Sequence, residues 1–175
     1  MTHPGVGADV YDDATDEWAT PPRVTRELAH AVGGFDLDPA SGAERAPHAD
    51  ETYTAEQNGL AQPWFGSVWC NPPYSEKEDW IKKALGERDR CDVIVMLLPV
   101  DTSTQWFHNY TTEADAVVFI EGRLAFGDAE STANFASMFV VFGDVTPSLH
   151  DTLSGFGAVF QGPWTEHPQA TLENR

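Results

Sequence analysis

Apolar residues fall into a few dense runs separated by polar stretches. Residues 92–98 (DVIVMLL), 116–120 (AVVFI) and 138–142 (MFVVF) are nearly unbroken. Short runs without alternation predict strands covered on both faces, as inside an α/β sheet. Residues 67–70 (SVWC) predict a shorter strand halted by two prolines. Residues 35–38 (FDLD) alternate apolar residues with acids and then meet Pro39. Val24, Leu28, Ala31 and Val32 follow Thr20-Pro21-Pro22 at helical spacing. Thr20 is therefore expected to cap a helix that Gly33-Gly34 ends. Ser75 and Glu78 read as a capping box, with Trp80, Ile81, Ala84 and Leu85 as the apolar stripe and Gly86 as the stop. A short helix is expected from Thr102 or Ser103, carrying Trp106 and Phe107. A last short strand is expected at residues 157–160. Residues 40–66 are polar and loop-like, with a short element near 51–54.

Strands alternating with helices predict an α/β fold, a mostly parallel sheet with helices on both faces. At 175 residues the chain is long enough for one domain with a real core. Composition places an acidic arm at 1–17, one domain at 18–165 and a tail at 166–175. No apolar run approaches the roughly 18 residues of a membrane span. The opening Met1-Thr2-His3-Pro4 lacks a basic-then-apolar leader, which points to a cytoplasmic protein. Cys70 and Cys91, each in an apolar setting, read as buried free thiols in a reducing compartment.

Charge adds one feature. Acids number 28 and bases 10, a formal net charge of -18, and the acids are spread along the whole chain. Such a surface suits a salt-rich cytoplasm, where ions screen self-repulsion. An ordinary acidic protein and a mimic of nucleic acid are the other readings. Molar salt also screens phosphate contacts, so net charge does not decide whether nucleic acid is a substrate.

Asn71-Pro72-Pro73-Tyr74 is the sharpest chemical signal. It follows a strand and precedes a helix, where ligands bind in open α/β sheets. Two prolines stiffen the path and remove two backbone donors. The Asn71 side-chain oxygen and the Pro72 carbonyl are then two acceptors suited to one amino group. Tyr74 offers a ring on which a planar base can stack. Asp36 and Asp38, two apart, are expected on one face of their strand, either to meet a ligand's charged group or to end the strand. Asp101 and Thr102 follow the strand at 92–98 and are candidates to line the same pocket. Arg123 is a candidate phosphate ligand or loop-ordering group. Histidines and cysteines show no metal spacing, so no metal is expected.

The ordered set Trp18-Ala19-Thr20-Pro21, Phe35-Asp36-Leu37-Asp38-Pro39-Ala40, Gly59-Leu60, Trp64, Asn71-Pro72-Pro73-Tyr74-Ser75, Leu97-Leu98-Pro99 and Gly122-Arg123-Leu124-Ala125-Phe126 resembles the phage-type DNA N-6-adenine methyltransferases. The resemblance implies a compact Rossmann-like methyltransferase fold, S-adenosylmethionine as cofactor and the N6 amino group of adenine in DNA as acceptor. By it, Asn71, Pro72, Pro73 and Tyr74 are catalytic. Thr20 and Pro21 lie near the methionine end of the cofactor, and Asp38, Pro39 and Ala40 begin its loop. Asp36 is a further cofactor candidate, and Glu51 is a candidate for the ribose. Asn58, Tyr74 and Arg123 are candidates for the substrate. The chain departs from the family where the usual glycine-rich turn gives way to Asp38-Pro39-Ala40-Ser41-Gly42, and where Asn58 replaces an Asp. The short stretch before residue 71 predicts that the second and third sheet strands are abbreviated. Cytosine N4, RNA adenine and a protein glutamine remain alternative acceptors, and a noncatalytic acidic binding protein remains an alternative class. A halophilic host or virus is the expected setting. No sizeable recognition domain is visible, so base reading is expected from residues 42–66 or 126–136, from a homodimer, or from a separate specificity partner.

Overall fold

In the computed structural model, which describes residues 19–42, 48–125 and 133–162, the apolar runs become the centre of one sheet. Its strands are β1 (Phe35–Asp38), β2 (Ala49–Thr52), β3 (Gly66–Cys70), β4 (Cys91–Pro99), β5 (Ala116–Ile120), β6 (Ser137–Gly143) and β7 (Gly157–Gln161). Their spatial order is β2-β1-β3-β4-β6-β5-β7. β2, β1, β3 and β4 pair in parallel, while β6 runs antiparallel between β4 and β5, and β7 runs antiparallel at the β5 edge. The carboxyl ends of β1, β2, β3, β4 and β5 therefore lie along one rim. Along the chain a single four-residue strand, β2, separates β1 from β3, in keeping with the expected abbreviation, and it takes the edge of the sheet beside β1.

The helices are α1 (Pro22–Val32), α2 (Lys77–Glu87), α3 (Gln105–Tyr110) and α4 (Pro147–Ser154). Val93, Val95 and Leu97 of β4 share a buried cluster with Val24 and Leu28 of α1 and Leu149 and Leu153 of α4. Ile94, Met96 and Leu98 share the opposite cluster with Trp80, Ile81 and Ala84 of α2 and Trp106 of α3. Both faces of β4 are thus apolar because helices cover both, which is why its sequence does not alternate. Burying each large side chain contributes about 1.5–3 kcal/mol. This is the doubly wound arrangement expected of a Rossmann-like fold. No helix among the described residues is long and apolar enough to cross a membrane.

Several local expectations change. The Ser75–Glu78 box does not form: Tyr74–Glu76 makes a 3-10 turn and α2 begins at Lys77 without a side-chain cap. Gly86 does not end α2, which runs through Glu87 into a second 3-10 turn. Glu87 holds it there. This buried carboxylate accepts from Lys83 Nζ at 2.6 Å and from the Trp64 amide at 3.4 Å. α3 starts at Gln105, because Asp101 spends its side chain on a turn with Ser103. α4 was not expected. Thr146 caps it by accepting from the Leu149 amide at 3.2 Å, followed by Pro147 and an apolar pair four apart. Cys70 is fully buried and Cys91 half-buried; both are free thiols, and burial pushes Cys91 up to about 11. The arm at 1–17, the tail at 166–175 and Trp18 lie outside the described residues.

Candidate active site

The rim formed by the ends of β1, β3 and β5 gathers most of the residues singled out from the sequence. β3 ends at Cys70 and delivers Asn71-Pro72-Pro73-Tyr74 to it. Leu37 of β1 pairs with Val68 of β3, so Asp38-Pro39-Ala40 emerges beside the Asn71 loop.

Asn71 is half-buried, and its Nδ2 donates to Thr20 Oγ1 at 3.0 Å. The loop before α1 and the loop after β3 are joined by this bond, although the two residues are 51 positions apart. Thr20 does not cap α1 as expected. Pro21 occupies the cap position, with no side-chain cap bond.

Tyr74 departs from its expected role as an open stacking surface. The ring is fully buried and meets Phe135 edge-on, with centroids 5.6 Å apart and planes at 78°. Its carbonyl accepts from Lys77 Nζ at 2.9 Å, fixing the exit of the loop. Pro72 is buried below the same turn.

Asp36 and Asp38 take different partners. β1 bends the simple alternation: Phe35 joins one buried cluster and Leu37 the other. Asp36 Oδ2 accepts from the Ser67 amide at 2.7 Å, which engages this carboxylate in joining β1 to β3. Asp38 is 5% exposed, at the carboxyl end of β1. Its Oδ1 accepts from the Ala40 amide at 3.1 Å, and its Oδ2 lies 3.4 Å from His48 Nε2. The Cys70 thiol, at the end of β3, is pushed well up, by burial first and then by the Asp38 charge.

Sequence reasoning gave His48 no role. Its ring stands edge-on to Trp69 at 6.1 Å, and no local pattern in the polar stretch 40–66 marks it. Glu51 is exposed on β2, in register with Leu37. Asn58 is exposed and holds a φ of 55°, a left-handed conformation that Asn tolerates. Its neighbour Gly59 packs on the Pro39 carbonyl, so Asn58 sits close to the β1 end of the rim. Arg123 is exposed just beyond β5, and among the described residues it forms no ion pair. The guanidinium does not order the Asn71 loop among those residues. Asp101 is taken up by its own turn, and Thr102 by its carbonyl contact with His108. Residues 43–47 and 126–132, within the segments expected to read bases, and Phe126 of the family pattern lie outside the described residues. Phe135, in the second segment, touches Tyr74.

The buried Asp38 carboxylate, the Asn71 amide and the Pro72 carbonyl thus stand where the neighbouring strands β1 and β3 end. Their oxygens are acceptors, the kind of group that can receive the N–H bonds of an ammonium or a planar amine.

Comparison with known proteins gives the family of the chain. Residues 7–147 match the family model for DNA N-6-adenine-methyltransferase (Dam). A DNA N-6-adenine-methyltransferase of Haemophilus phage HP1 is 33% identical over 141 residues, covering 75% of this chain and 81% of that protein. One of Escherichia phage T1 is 36% identical over 121 residues, 67% of this chain; the chain spans 50% of that relative's length. Among solved structures, the 23S rRNA methyltransferase ErmE aligns over 76% of this chain and 72% of its own, at 9% identity and a TM-score of 0.48. On the match across most of its length and on the phage HP1 relative, this chain belongs to the DNA N-6-adenine-methyltransferase (Dam) family.

Proposed function

We propose that the chain transfers a methyl group from S-adenosylmethionine to the N6 amino group of adenine in DNA. The observation that carries this reading is the Asn71-Pro72-Pro73-Tyr74 loop at the end of β3, with Asn71 fixed by Thr20 and the buried Asp38 carboxylate at the adjoining strand end.

The residues present fit the cofactor by their chemistry. Asp38 is a buried carboxylate suited to an ammonium group, beside Pro39 and Ala40. Glu51 is an exposed carboxylate one strand away, suited to a pair of ribose hydroxyls. Pro21 adjoins Thr20 on the same rim. When bound, S-adenosylmethionine supplies a methyl group on a positively charged sulfur.

An adenine amino group is a weak nucleophile because its lone pair is shared with the ring. Asn71 Oδ1 and the Pro72 carbonyl accept its two hydrogens, which favours a more tetrahedral nitrogen and stabilises positive charge on it. Pro73 keeps the loop rigid, so positioning supplies much of the rate. A base in duplex DNA must leave the stack to reach this loop. Tyr74 supports the loop from below; it can stack on a base only if Phe135 moves off its ring. Arg123 contacts a DNA phosphate beyond β5, and Asn58 meets an adenine edge. The surface, with a net charge of -18, suits work at high salt inside a halophilic cell. A second copy or a separate partner contributes to choosing the site.

Labelled methyl transfer to unmethylated DNA, across a salt series and with digestion to nucleosides, tests the reading. N6-methyldeoxyadenosine is the expected product. Label in deoxycytidine, RNA or protein would move the acceptor, and folded protein that binds no cofactor would favour a noncatalytic role.

A further inference from the structure

Taking the function proposed above as given, we propose that a protonated His48 competes with the cofactor's ammonium group for the Asp38 carboxylate, so that His48 makes the affinity for S-adenosylmethionine depend on pH.

His48 comes just before β2, and its ring stands between Phe35 of β1 and Trp69 of β3. The centroids are 6.5 Å and 6.1 Å away, and both rings meet it edge-on. The side chain is 14% exposed and Nε2 is buried. Among the described residues, the charged group that this nitrogen meets is Asp38, whose Oδ2 lies 3.4 Å away. A carboxylate only accepts, so Nε2 carries a hydrogen. That hydrogen is not in line for a hydrogen bond. With a neutral ring the contact is therefore weak. With an imidazolium it becomes an ion pair away from bulk water, where attraction is stronger than on a surface.

The Ala40 amide binds the other oxygen of Asp38. A carboxylate has about four acceptor sites, so there is room for His48 and an ammonium together. Charge sets the limit. One negative charge is neutralised by one cation, and a second positive group nearby is repelled by the first.

Neighbouring elements bring no other titrating group to the ring among the described residues. Asp36 of β1 is bonded to the Ser67 amide, and Cys70 of β3 is a thiol pushed well up, so it stays neutral. Asp50 and Glu51 of β2 are exposed. α1, packed with Phe35, turns Val24, Thr25 and Leu28 inward; its Arg23 pairs with Glu27, and Arg26 and His30 are exposed. α4 turns Leu149 and Leu153 inward and sets His150 beside Asp151.

Calorimetry of S-adenosylmethionine binding to the full chain, at one salt concentration and from about pH 7.5 to about pH 5.5, spans the range in which a histidine gains its proton. One competing proton raises Kd by at most about tenfold per pH unit. The wild type is expected to lose about fivefold or more in affinity across the range. It is also expected to release protons on binding at the acid end, because linkage is reciprocal. The dependence of binding heat on the buffer reads that release. His48→Phe suits the aromatic niche, and His48→Gln keeps an N–H that does not titrate. Each is expected to shift in Kd by less than about twofold over the range, without proton release. 5′-Methylthioadenosine, which lacks the ammonium, is expected to bind the wild type equally at both ends.

A wild-type Kd that ignores pH overturns the proposal. So does an equal rise in either folded variant, or an equal rise for 5′-methylthioadenosine, which would trace the effect to the fold and not to Asp38. If neither variant folds, proton release and the 5′-methylthioadenosine comparison in the wild type decide. Folded wild type that binds no S-adenosylmethionine at any of these pH values sinks the functional reading itself, whereas binding indifferent to pH sinks only this proposal.

Discussion

Gly59 has no room for a side chain. A Cβ there would stand 2.0 Å from the Pro39 carbonyl oxygen and 3.1 Å from the Trp80 ring. Its own carbonyl accepts from Trp64 Nε1 at 2.9 Å, so the surrounding turn is pinned from both sides. The neighbour to be displaced is backbone at the end of β1, which cannot swing away like a flexible side chain. Gly59→Ala is therefore expected to destabilise the protein by about 2–3 kcal/mol, and to weaken cofactor binding through Pro39. Urea unfolding measures the first effect, and a change under about 0.5 kcal/mol would contradict this packing. The family resemblance marks Gly59-Leu60 and Trp64, but the close approach joins residues from separate loops and is not legible in the local sequence. Asn71 is the opposite case. Its motif is contiguous, so sequence alone identifies it, while its bond to Thr20 needs the fold.

α2 carries the loop of Asn71 at its start and is anchored at its end by Glu87. Burial alone pushes the Glu87 carboxyl up. The hydrogen bond and charge of Lys83, the Trp64 amide and the Arg90 charge outweigh it and hold the group below its ordinary value of 4.5. A carboxyl with a lowered value in the folded state stabilises above its unfolded value and loses that contribution as pH falls through the folded one. Glu87→Gln is accordingly expected to lower stability by about 1–3 kcal/mol at neutral pH. The gap to wild type should narrow as pH falls below 4.5 and close only below the lowered folded value. Denaturation at pH 7 and at a series of pH values descending through the acid range checks both halves, and a gap independent of pH would contradict the ion pair. The same element exposes a limit of local rules: Gly86 looks like a stop, yet the tertiary bonds of Glu87 carry the helix past it. In α4 the local signals were sufficient and were missed, since Thr146-Pro147 with Leu149 and Leu153 marks a capped helix.

The core was legible because strands covered on both faces must be apolar throughout, and β4, β5 and β6 are. The antiparallel insertion of β6 between β4 and β5 was not, because an apolar run does not encode its direction. Nor did the sequence distinguish a Tyr74 open to a base from one buried against Phe135. Across the molecule, acids outnumber bases by 28 to 10, and several of the bases are already paired within the fold, Arg23 with Glu27, Lys83 with Glu87 and Arg88 with Asp115. Repulsion from DNA is strong in dilute buffer and screened in concentrated salt, so the central claim belongs in a salt series. The most direct measurement is single-turnover methyl transfer to DNA by wild type and Asn71→Ala, each paired with the cofactor Kd at the same salt. The expected result is loss of transfer by about a hundredfold or more in Asn71→Ala with cofactor affinity retained, since the alanine removes an acceptor used mainly in the transition state. Transfer by folded Asn71→Ala at the wild-type rate would contradict the account.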